Sequence, residues 1–460
     1  MVSLGGAALL LAAGGCATSP APIAERWVEA RPLGRELATF RPPRETAAAS
    51  PAPAIEEPGA MLGLRQALAL ALARNPELAA FSWDVRIGEA RMLQAGLRPN
   101  PEVGLGVENI LGTGDFRAAR EAQTTLQLSQ LVELGGKRVE RMKEAELARD
   151  LAGWDYETRR IEVLARTAEA FVEVLTLQRH LELADESVRL AENVARTVAE
   201  RVAAAKTFVV EKTKADVALA SAQLERDQTQ RALSAARQRL ASNWGTTQAG
   251  FERVEGNLEN LEPIPPQEQL LARLAQNPEL ARWATELLQR EAALRVEKSR
   301  ATPDLSIVGG YRRLPDLAGA SGPNNDSLLV GVSIPWPLHH RNQGAIREAG
   351  YRVAKATEEQ RAAELRVKTE LAQAWQQLAA AAAEVEALKT KILPGAQETF
   401  QTLSQYYRDG RLSYLEVLDA QRTYFGAQEQ YFRALRGYHT AVIAIERLIG
   451  ERLSPDANQP

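Results

Sequence analysis

Asn75-Pro76-Glu77-Leu78 recurs as Asn277-Pro278-Glu279-Leu280, and the order of features around each copy of this motif decides the fold. Further matches follow both motifs in the same order and at almost the same separation. They are Pro101 with Pro303, Lys143-Glu144-Ala145 with Arg347-Glu348-Ala349, Glu211 with Glu416, Ala215 with Ala420, and Trp244-Gly245 with Ile449-Gly450. Ordered matches at one period indicate two copies of a structural unit. We predict a first repeat at 60–245, a linker at 246–266, a second repeat at 267–450 and a C-terminal tail at 451–460.

Each copy begins with a predicted helix, at 64–97 and 267–300, and continues with two short alternating segments. Apolar residues alternate there with small or polar ones, a period of two that is typical of strands with one apolar face. The apolar positions are Val103, Leu105 and Val107, then Leu126 and Leu128, in the first copy, and Leu305 and Ile307, then Leu328, Val330, Val332 and Ile334, in the second. The sequence therefore predicts one β-hairpin in each copy.

A long helix is predicted after each hairpin, over 137–202 and 343–408, with local interruptions at Gly153 and Pro394-Gly395. At ~1.5 Å per residue, each helix would reach on the order of 100 Å, which exceeds a compact domain. Apolar residues, many of them Ala, recur at steps of three and four, as in a coiled-coil seam. They are Ile161, Leu164, Ala168, Phe171, Leu175, Val188, Ala191, Ala195, Val198 and Val202, and in the second copy Ala374, Leu378, Ala381, Val385, Leu388 and Ile392. The same period also fits a solvent-exposed filament rod.

A turn and a return helix follow each long helix, the return helices being predicted at 209–244 and 413–449. The turns are Ala204-Ala205-Lys206-Thr207 and Asp409-Gly410-Arg411-Leu412. Gly410 suits the left-handed position that ends many helices. The sequence thus predicts two long helical hairpins, each with a free tip.

The N-terminal region has the pattern of an export signal. Residues 1–15 form a short apolar stretch, too short for a membrane-spanning helix, followed by Cys16. Small residues before a Cys resemble a bacterial lipoprotein signal, in which Cys16 would carry the lipid anchor. An ordinary signal peptide with an incidental Cys is the alternative. Residues 16–59 are rich in Pro and Ala, and we expect an extended, lipidated tether packed along the outside of the body.

Composition excludes several classes of protein. The chain has 460 residues, a formal net charge of −3, one Cys and four His. One Cys permits no intrachain disulfide, and the weak charge argues against nucleic-acid binding. Catalytic motifs and phosphate-binding loops are not visible, so we predict neither an enzyme nor a cofactor. The pair His339-His340 falls where the last strand meets the long helix, and we interpret it as a boundary feature rather than a metal site, because adjacent strand residues point to opposite faces.

Four predicted strands cannot form a closed barrel, because small closed barrels need about eight or more. Lipid-exposed strands must close, since an open edge leaves backbone polar groups unpaired. Several chains would therefore have to pool their strands, and three chains would supply twelve. The predicted fold class is mainly α with a small β part, in an oligomeric tube with one β end and one helical end. Four edge strands of a soluble sheet are the alternative.

The chain resembles the TolC family of outer-membrane efflux ducts over about residues 60–450. The resemblance rests on both Asn-Pro-Glu-Leu motifs, on Ser129-Gln130, on Glu133-Leu134-Gly135-Gly136-Lys137-Arg138, and on the segment from Asp409 to Ala420. The Glu-Leu-Gly-Gly-Lys-Arg segment is most similar to the heavy-metal branch, the CzcC/CusC-like ducts. The family implies a homotrimer, a twelve-stranded transmembrane β-barrel in outer-membrane lipid, and an α-barrel through the periplasm. It also implies a periplasmic membrane-fusion adaptor and an inner-membrane pump of the RND type.

The resemblance also implies a gate at the periplasmic tips. The motif positions are Glu211, Tyr407, Asp409, Gly410, Arg411, Glu416 and Asp419. Three copies of each acidic residue would form carboxylate rings that attract cations, and adaptor binding would open the tips. A solvated helix face is the alternative for Glu416 and Asp419. Ala205 stands where the family usually has Gly, so we expect a different first turn, and Leu412 stands where some members have a latching Arg.

The predicted function is a passive outer-membrane duct of a tripartite efflux system, with heavy-metal cations as the expected cargo. A multidrug or type I secretion duct has the same architecture and stays an alternative. A periplasmic coiled-coil scaffold lipoprotein without a pore is the alternative of another class. Such a scaffold would need neither strand hairpins nor an export signal.

Overall fold

The computed structural model describes residues 27–43, 59–118, 121–314, 325–409 and 411–453. Its elements in chain order are β1 (Met61–Gly63), α1 (Leu64–Arg74), α2 (Pro76–Gly96), β2 (Glu102–Glu108), a 3₁₀ turn (Gly114–Phe116), β3 (Gln123–Val132), α3 (Lys137–Ala203), α4 (Val209–Ser242), β4 (Arg253–Glu255), α5 (Gln267–Arg273), a 3₁₀ turn (Leu274–Gln276), α6 (Pro278–Arg300), β5 (Leu305–Leu314), β6 (Asn325–Ser333), α7 (Gln343–Ala387), a π-turn (Leu388–Ile392), α8 (Leu393–Arg408) and α9 (Tyr414–Ile449). The predicted fold class, mainly α with a small β part built by duplication, is confirmed.

The Asn of each Asn-Pro-Glu-Leu motif makes the same two hydrogen bonds in both copies. Asn75 Oδ1 accepts the N–H of Leu78 at 2.8 Å, and its amide nitrogen donates to the Asn243 carbonyl at 2.8 Å. Asn277 does the same in the second copy, with Leu280 N–H at 2.9 Å and the Leu448 carbonyl at 2.7 Å. Each Asn thus caps one helix and holds the end of its own copy's return helix.

The prediction of single helices at 64–97 and 267–300 was wrong. Each divides at the Asn, which takes an extended conformation. A proline at the first helical position lacks an N–H and disfavours a helical residue before it. The helix before each Asn therefore stops, and a new one starts at Pro76 and at Pro278.

The predicted hairpins are present and join into one antiparallel sheet in the order β2-β3-β5-β6. The residues of one face are mostly apolar and exposed. Its exposed apolar residues are Val103, Leu105, Val107, Leu126, Leu128, Ile307, Tyr311, Leu328, Val330 and Val332. The opposite face carries mostly small and polar residues, among them Gly104, Thr125, Gln127, Gly310 and Ser327. The sheet therefore has one face suited to an apolar environment and one suited to water.

A second, two-stranded sheet was not predicted. β1 pairs in parallel with β4, and Leu62 lies opposite Val254. Both side chains are buried with Phe251 in the core between the helices. The stretch expected as a linker thus contains a strand that ties the start of the first repeat to the segment after it.

The two long helices differ in continuity. α3 is unbroken for 67 residues, so the interruption expected at Gly153 is absent. A Cβ at Gly153 would lie 2.6 Å from Val28, so the glycine makes room for the N-terminal segment. The second long helix contains the π-turn directly before Pro394, whose ring nitrogen cannot donate to the helix ladder. The wider turn rotates Ile392 out of the predicted seam, and this side chain is 45% exposed.

The helices lie side by side, and the order of the two copies across the body is the same in both halves. In the half near the sheet, the packed order is α2-α3-α6-α7, and in the half near the tips it is α4-α3-α9-α8. First-copy helices thus form one edge and second-copy helices the other. In the described part of the chain, no helix combines the length and apolar character needed to cross a bilayer.

Residues 27–43 of the expected tether pack on this body. Arg160 Nη1 donates to the Leu33 carbonyl at 2.8 Å, and Arg160 is paired with Glu157 at 2.7 Å with both side chains buried. The N–H of Leu33 donates to the Gly450 carbonyl at 3.0 Å. The segment therefore contacts both copies. The proposed lipid anchor Cys16 lies outside the described residues.

Candidate functional site

The free ends of the two helical hairpins lie together. Side chains from the last turns of α3 and α8 and the first turns of α4 and α9 form one apolar cluster, which we call the tip cluster. Its buried members are Ala195, Val198, Ala215, Tyr407, Tyr414, Val417 and Leu418. The structure thus brings the tips of both repeats into one packed unit.

Both tips end their long helix with the same backbone bond. Lys206 N–H donates to the Arg201 carbonyl at 2.8 Å, and Arg411 N–H donates to the Tyr406 carbonyl at 2.9 Å. This bond across five residues is the Schellman motif. Ala205 has φ of 53°, the left-handed conformation that the motif requires. The expectation of a different first turn was therefore wrong, because Ala205 adopts the conformation that Gly would take without strain. Gly410 lies outside the described residues.

Arg201 joins the two repeats at this point. Its guanidinium carbon lies 4.7 Å from the centre of the Tyr407 ring, and Nη1 donates to the Tyr407 carbonyl at 3.1 Å. Tyr407 is 6% exposed, its ring centre is 6.0 Å from that of Tyr414, and its hydroxyl has no hydrogen-bond partner among the described residues. Burial raises the pKa of Tyr407, which Arg201 lowers in part and Glu211 raises further. The neutral ring therefore serves as the face on which the cation rests.

The predicted acidic residues fall into two groups. Glu211 is partly buried and accepts a hydrogen bond from the Thr207 hydroxyl at 2.5 Å, within its own turn. Asp409 accepts from Gln405 Nε2 at 3.3 Å. Glu416 and Asp419 are exposed on α9, and in the described part of the chain no cation pairs with either. Glu211 and Asp409 are therefore held by a local hydrogen bond, whereas Glu416 and Asp419 have no such partner in the described part of the chain.

Sequence reasoning missed three features of the tips. Arg201 precedes the first turn and Thr207 is its last residue, and neither was assigned a role. Phe208, Val209 and Val210 follow that turn and are exposed, Phe208 by 78%. An apolar triplet directly after a predicted turn was the available signal. Among the described residues, no hydrogen bond or ion pair joins Arg411 to Glu416 or Asp419, so no Arg–acid latch is seen.

The Glu-Leu-Gly-Gly-Lys-Arg segment lies far from the tips, where the sheet meets the helices. Lys137 Nζ contacts Asp304 Oδ1 at 2.7 Å, and the same oxygen accepts the N–H of Leu134 at 3.0 Å. Gly135, with φ of 70°, lies against Thr302. The motif therefore joins the first repeat to the start of the second hairpin.

Metal ligands are not gathered in the part of the chain that the structure covers, where no group of three or more His, Cys, Asp or Glu side chains could hold an ion. His339 and His340 are exposed between β6 and α7.

Comparison with known proteins gives relatives of one kind. The family described as outer membrane efflux protein matches residues 67–246 and 271–451. The chain is 35% identical over 389 residues to the cobalt-zinc-cadmium resistance protein CzcC of Cupriavidus metallidurans, which covers 85% of this chain and 90% of that protein. It is 29% identical over 300 residues to the nickel and cobalt resistance protein CnrC of the same organism, with 64% and 67% covered.

Solved structures have the same fold. A crystal structure of CusC gives a TM-score of 0.72 at 17% identity and covers 90% of this chain and 99% of that one. The open state of the MtrE outer membrane channel of Neisseria gonorrhoeae gives 0.70 at 17% identity, with 94% and 99% covered. The predicted resemblance, the outer-membrane location and the role in efflux are confirmed. The chain belongs to the outer membrane efflux protein family.

Proposed function

We propose that three copies of this chain close into one conduit that carries heavy-metal cations across the outer membrane. The observation that carries this proposal is a matched pair of open edges. β2 and β6 are the outer strands of the sheet, and α2 with α4, and α7 with α8, are the outer helices beside it. First-copy elements form one edge at every level, and second-copy elements form the other. One rotation about a single axis can therefore pair all open edges at once.

The outer helices present apolar side chains at these edges. Val210, Val217 and Leu224 on α4 are exposed and lie seven residues apart, on one stripe, with Val217 exposed by 61%. Tyr351 and Leu365 on α7 are also exposed. Burying such side chains contributes about 1.5–3 kcal/mol each. The stripes therefore suit contact with neighbouring copies.

The sheet has the dimensions of a barrel wall in a bilayer. Its strands are 7 to 10 residues long, close to the 9–11 residues of tilted transmembrane strands. Tyr311 and Trp336 are exposed toward opposite ends of the apolar stretch, and aromatic residues favour the two membrane interfaces. Twelve pooled strands would close this wall, with Cys16 as a lipid anchor beside it.

The cargo is argued from relatives and from charge. The two relatives reported above carry cobalt, zinc, cadmium and nickel resistance in their names. Glu416 and Asp419 are exposed at the tip, and three copies of each would form two rings of negative charge. Such rings raise the local concentration of cations. Divalent metal cations are therefore the cargo class that this chain fits best.

The tip is the natural site for the gate and for the partners. The Arg201–Tyr407 contact and the tip cluster hold the repeats together, and the exposed triplet from Phe208 to Val210 offers an apolar surface beside them. A periplasmic membrane-fusion adaptor would bind this surface and break the Arg201–Tyr407 contact. An RND-type pump of the inner membrane would supply the energy for transport.

Complementation tests this function. A strain lacking the chain should become sensitive to cobalt, zinc and cadmium, and the wild-type chain should restore growth. Val217→Asp should fail to restore it, because a charge would enter the edge stripe, whereas the neighbouring surface change Gln223→Asp should succeed. Restored resistance to drugs without restored metal resistance would overturn the cargo, and full activity of Val217→Asp would count against the edge contact.

A further inference from the structure

Arg312 is the basic side chain that the described strands place on the polar face of the sheet, near its loop end. Arg312 of β5 stands opposite Thr125 of β3 and Ser327 of β6, and Gly106 of β2 completes this row. Arg312 Nε donates to Thr125 Oγ1 at 3.1 Å, which fixes the side chain on this face. The next residue, Arg313, lies on the opposite, apolar face, where it is paired with Asp326 across the strands.

We propose that Arg312 sets the charge selectivity of the outer segment of the conduit. This inference rests on the proposed trimer, in which the polar face lines the lumen and three guanidinium groups share one level. A ring of fixed positive charge lowers the concentration of cations and raises that of anions near it. The row of Arg312 would then disfavour cations, whereas the carboxylates of the tip attract them.

The surroundings leave the charge of Arg312 effective. In the described part of the chain, no carboxylate pairs with Arg312, and its one side-chain partner is a neutral hydroxyl. A Cβ at Gly106 would meet nothing within 4 Å, so the space in the same row is open to water and ions. Glu102 and Glu108 also lie on the polar face, but in other rows.

The matched control is built into the strand. Arg312→Gln removes the charge from the lumen face, and Arg313→Gln removes the same charge from the neighbouring position on the lipid face. Reconstituted channels are compared by reversal potential in a KCl gradient with a dilute side near 0.01 M, where screening reaches about 30 Å. Arg312→Gln should raise the cation-to-anion permeability ratio roughly twofold, by loss of the ring charge. Arg313→Gln and Arg312→Lys should match the wild type.

A second variant tests the same row if Arg312→Gln fails to assemble into channels. Gly106→Asp adds a negative charge in the same row at an open position and should shift the reversal potential in the same direction. Wild-type reversal potentials in both Arg312→Gln and Gly106→Asp would overturn the inference while leaving the conduit intact. Wild-type protein that forms no channels would instead overturn the proposed function.

Discussion

The guanidinium of Arg201, at the end of α3, rests 4.7 Å from the ring centre of Tyr407, at the end of α8. These residues belong to different repeats, so their contact spans the joint that must change if the tips open. Contacts of this kind contribute about 0.5–2 kcal/mol, depending on how far they are desolvated.

Removing this contact should loosen the tip. Arg201→Ala and Tyr407→Leu are expected to raise the resting conductance of reconstituted channels severalfold. Loss of 1–2 kcal/mol from the closed state changes the ratio of open to closed tips by about 5- to 30-fold. Tyr407→Phe should behave as wild type, because it keeps the ring and removes a hydroxyl without a partner. Arg196→Ala, on the same helix and exposed, is the control. Unchanged conductance in Arg201→Ala would refute a role in closure.

Neutralising the exposed tip carboxylates should weaken cation binding. Glu416→Gln with Asp419→Asn is expected to lower the sensitivity of single channels to block by multivalent cations added from the tip side, because attraction scales with ring charge. Asp84→Asn, an exposed change on α2 in the half near the sheet, should leave the block unchanged. Equal block in the double variant and the wild type would mean that these carboxylates are only a solvated helix face.

The two glycines of the Glu-Leu-Gly-Gly-Lys-Arg segment should differ in how well they tolerate replacement by Ala. Both have left-handed φ, 70° at Gly135 and 71° at Gly136, so Ala costs about 1–2 kcal/mol at either. A Cβ at Gly135 would also lie 2.7 Å from Thr302, whereas at Gly136 nothing lies within 4 Å. Thermal melting in detergent should therefore show Gly135→Ala as clearly less stable than Gly136→Ala. Equal melting temperatures would contradict the close packing at Thr302.

Glu446 near the end of α9 should make stability depend on pH. Desolvation raises the pKa of Glu446 to about 7, against the lowering effects of the Leu453 N–H and Arg452. Because the folded pKa lies above the unfolded one, the fold favours the neutral acid. Stability is then lost as pH rises from about 4.5 to about 7, at roughly 1.4 kcal/mol per unit of pKa shift.

Glu446→Gln removes the group that titrates. The variant should melt higher than the wild type at pH 8 and close to it at pH 4.5, since Gln can still accept the hydrogen bond of Leu453 N–H. Glu252→Gln changes an exposed carboxylate and serves as the control. A stabilisation of Glu446→Gln that is equal at both pH values would contradict a titrating Glu446.

The elements that a local pattern specifies were predictable. Asn75 and Asn277 reveal the duplication because their motif recurs with further matches in the same order. The helix stop that each Asn-Pro pair encodes is also a local signal, but it was missed. The hairpins followed from alternation. β1 and β4 are three residues each, too short for a period to show.

Contacts between distant segments were not predictable. Arg201 and Tyr407 belong to different repeats, and no spacing rule relates them. Ile392 continued the seam in the sequence but turned outward, because the π-turn before Pro394 changes the rotation of the helix. The acidic tip positions came from resemblance, and only the packing separates the locally bonded Glu211 from the exposed Glu416.

The mass of the particle purified from outer membranes in mild detergent shows whether three copies of this chain form the conduit. One chain has a mass of 50.3 kDa. We expect the protein mass of three chains in a single species, and loss of that species in Val217→Asp but not in Gln223→Asp. A single chain that remains soluble and monodisperse without detergent would contradict it.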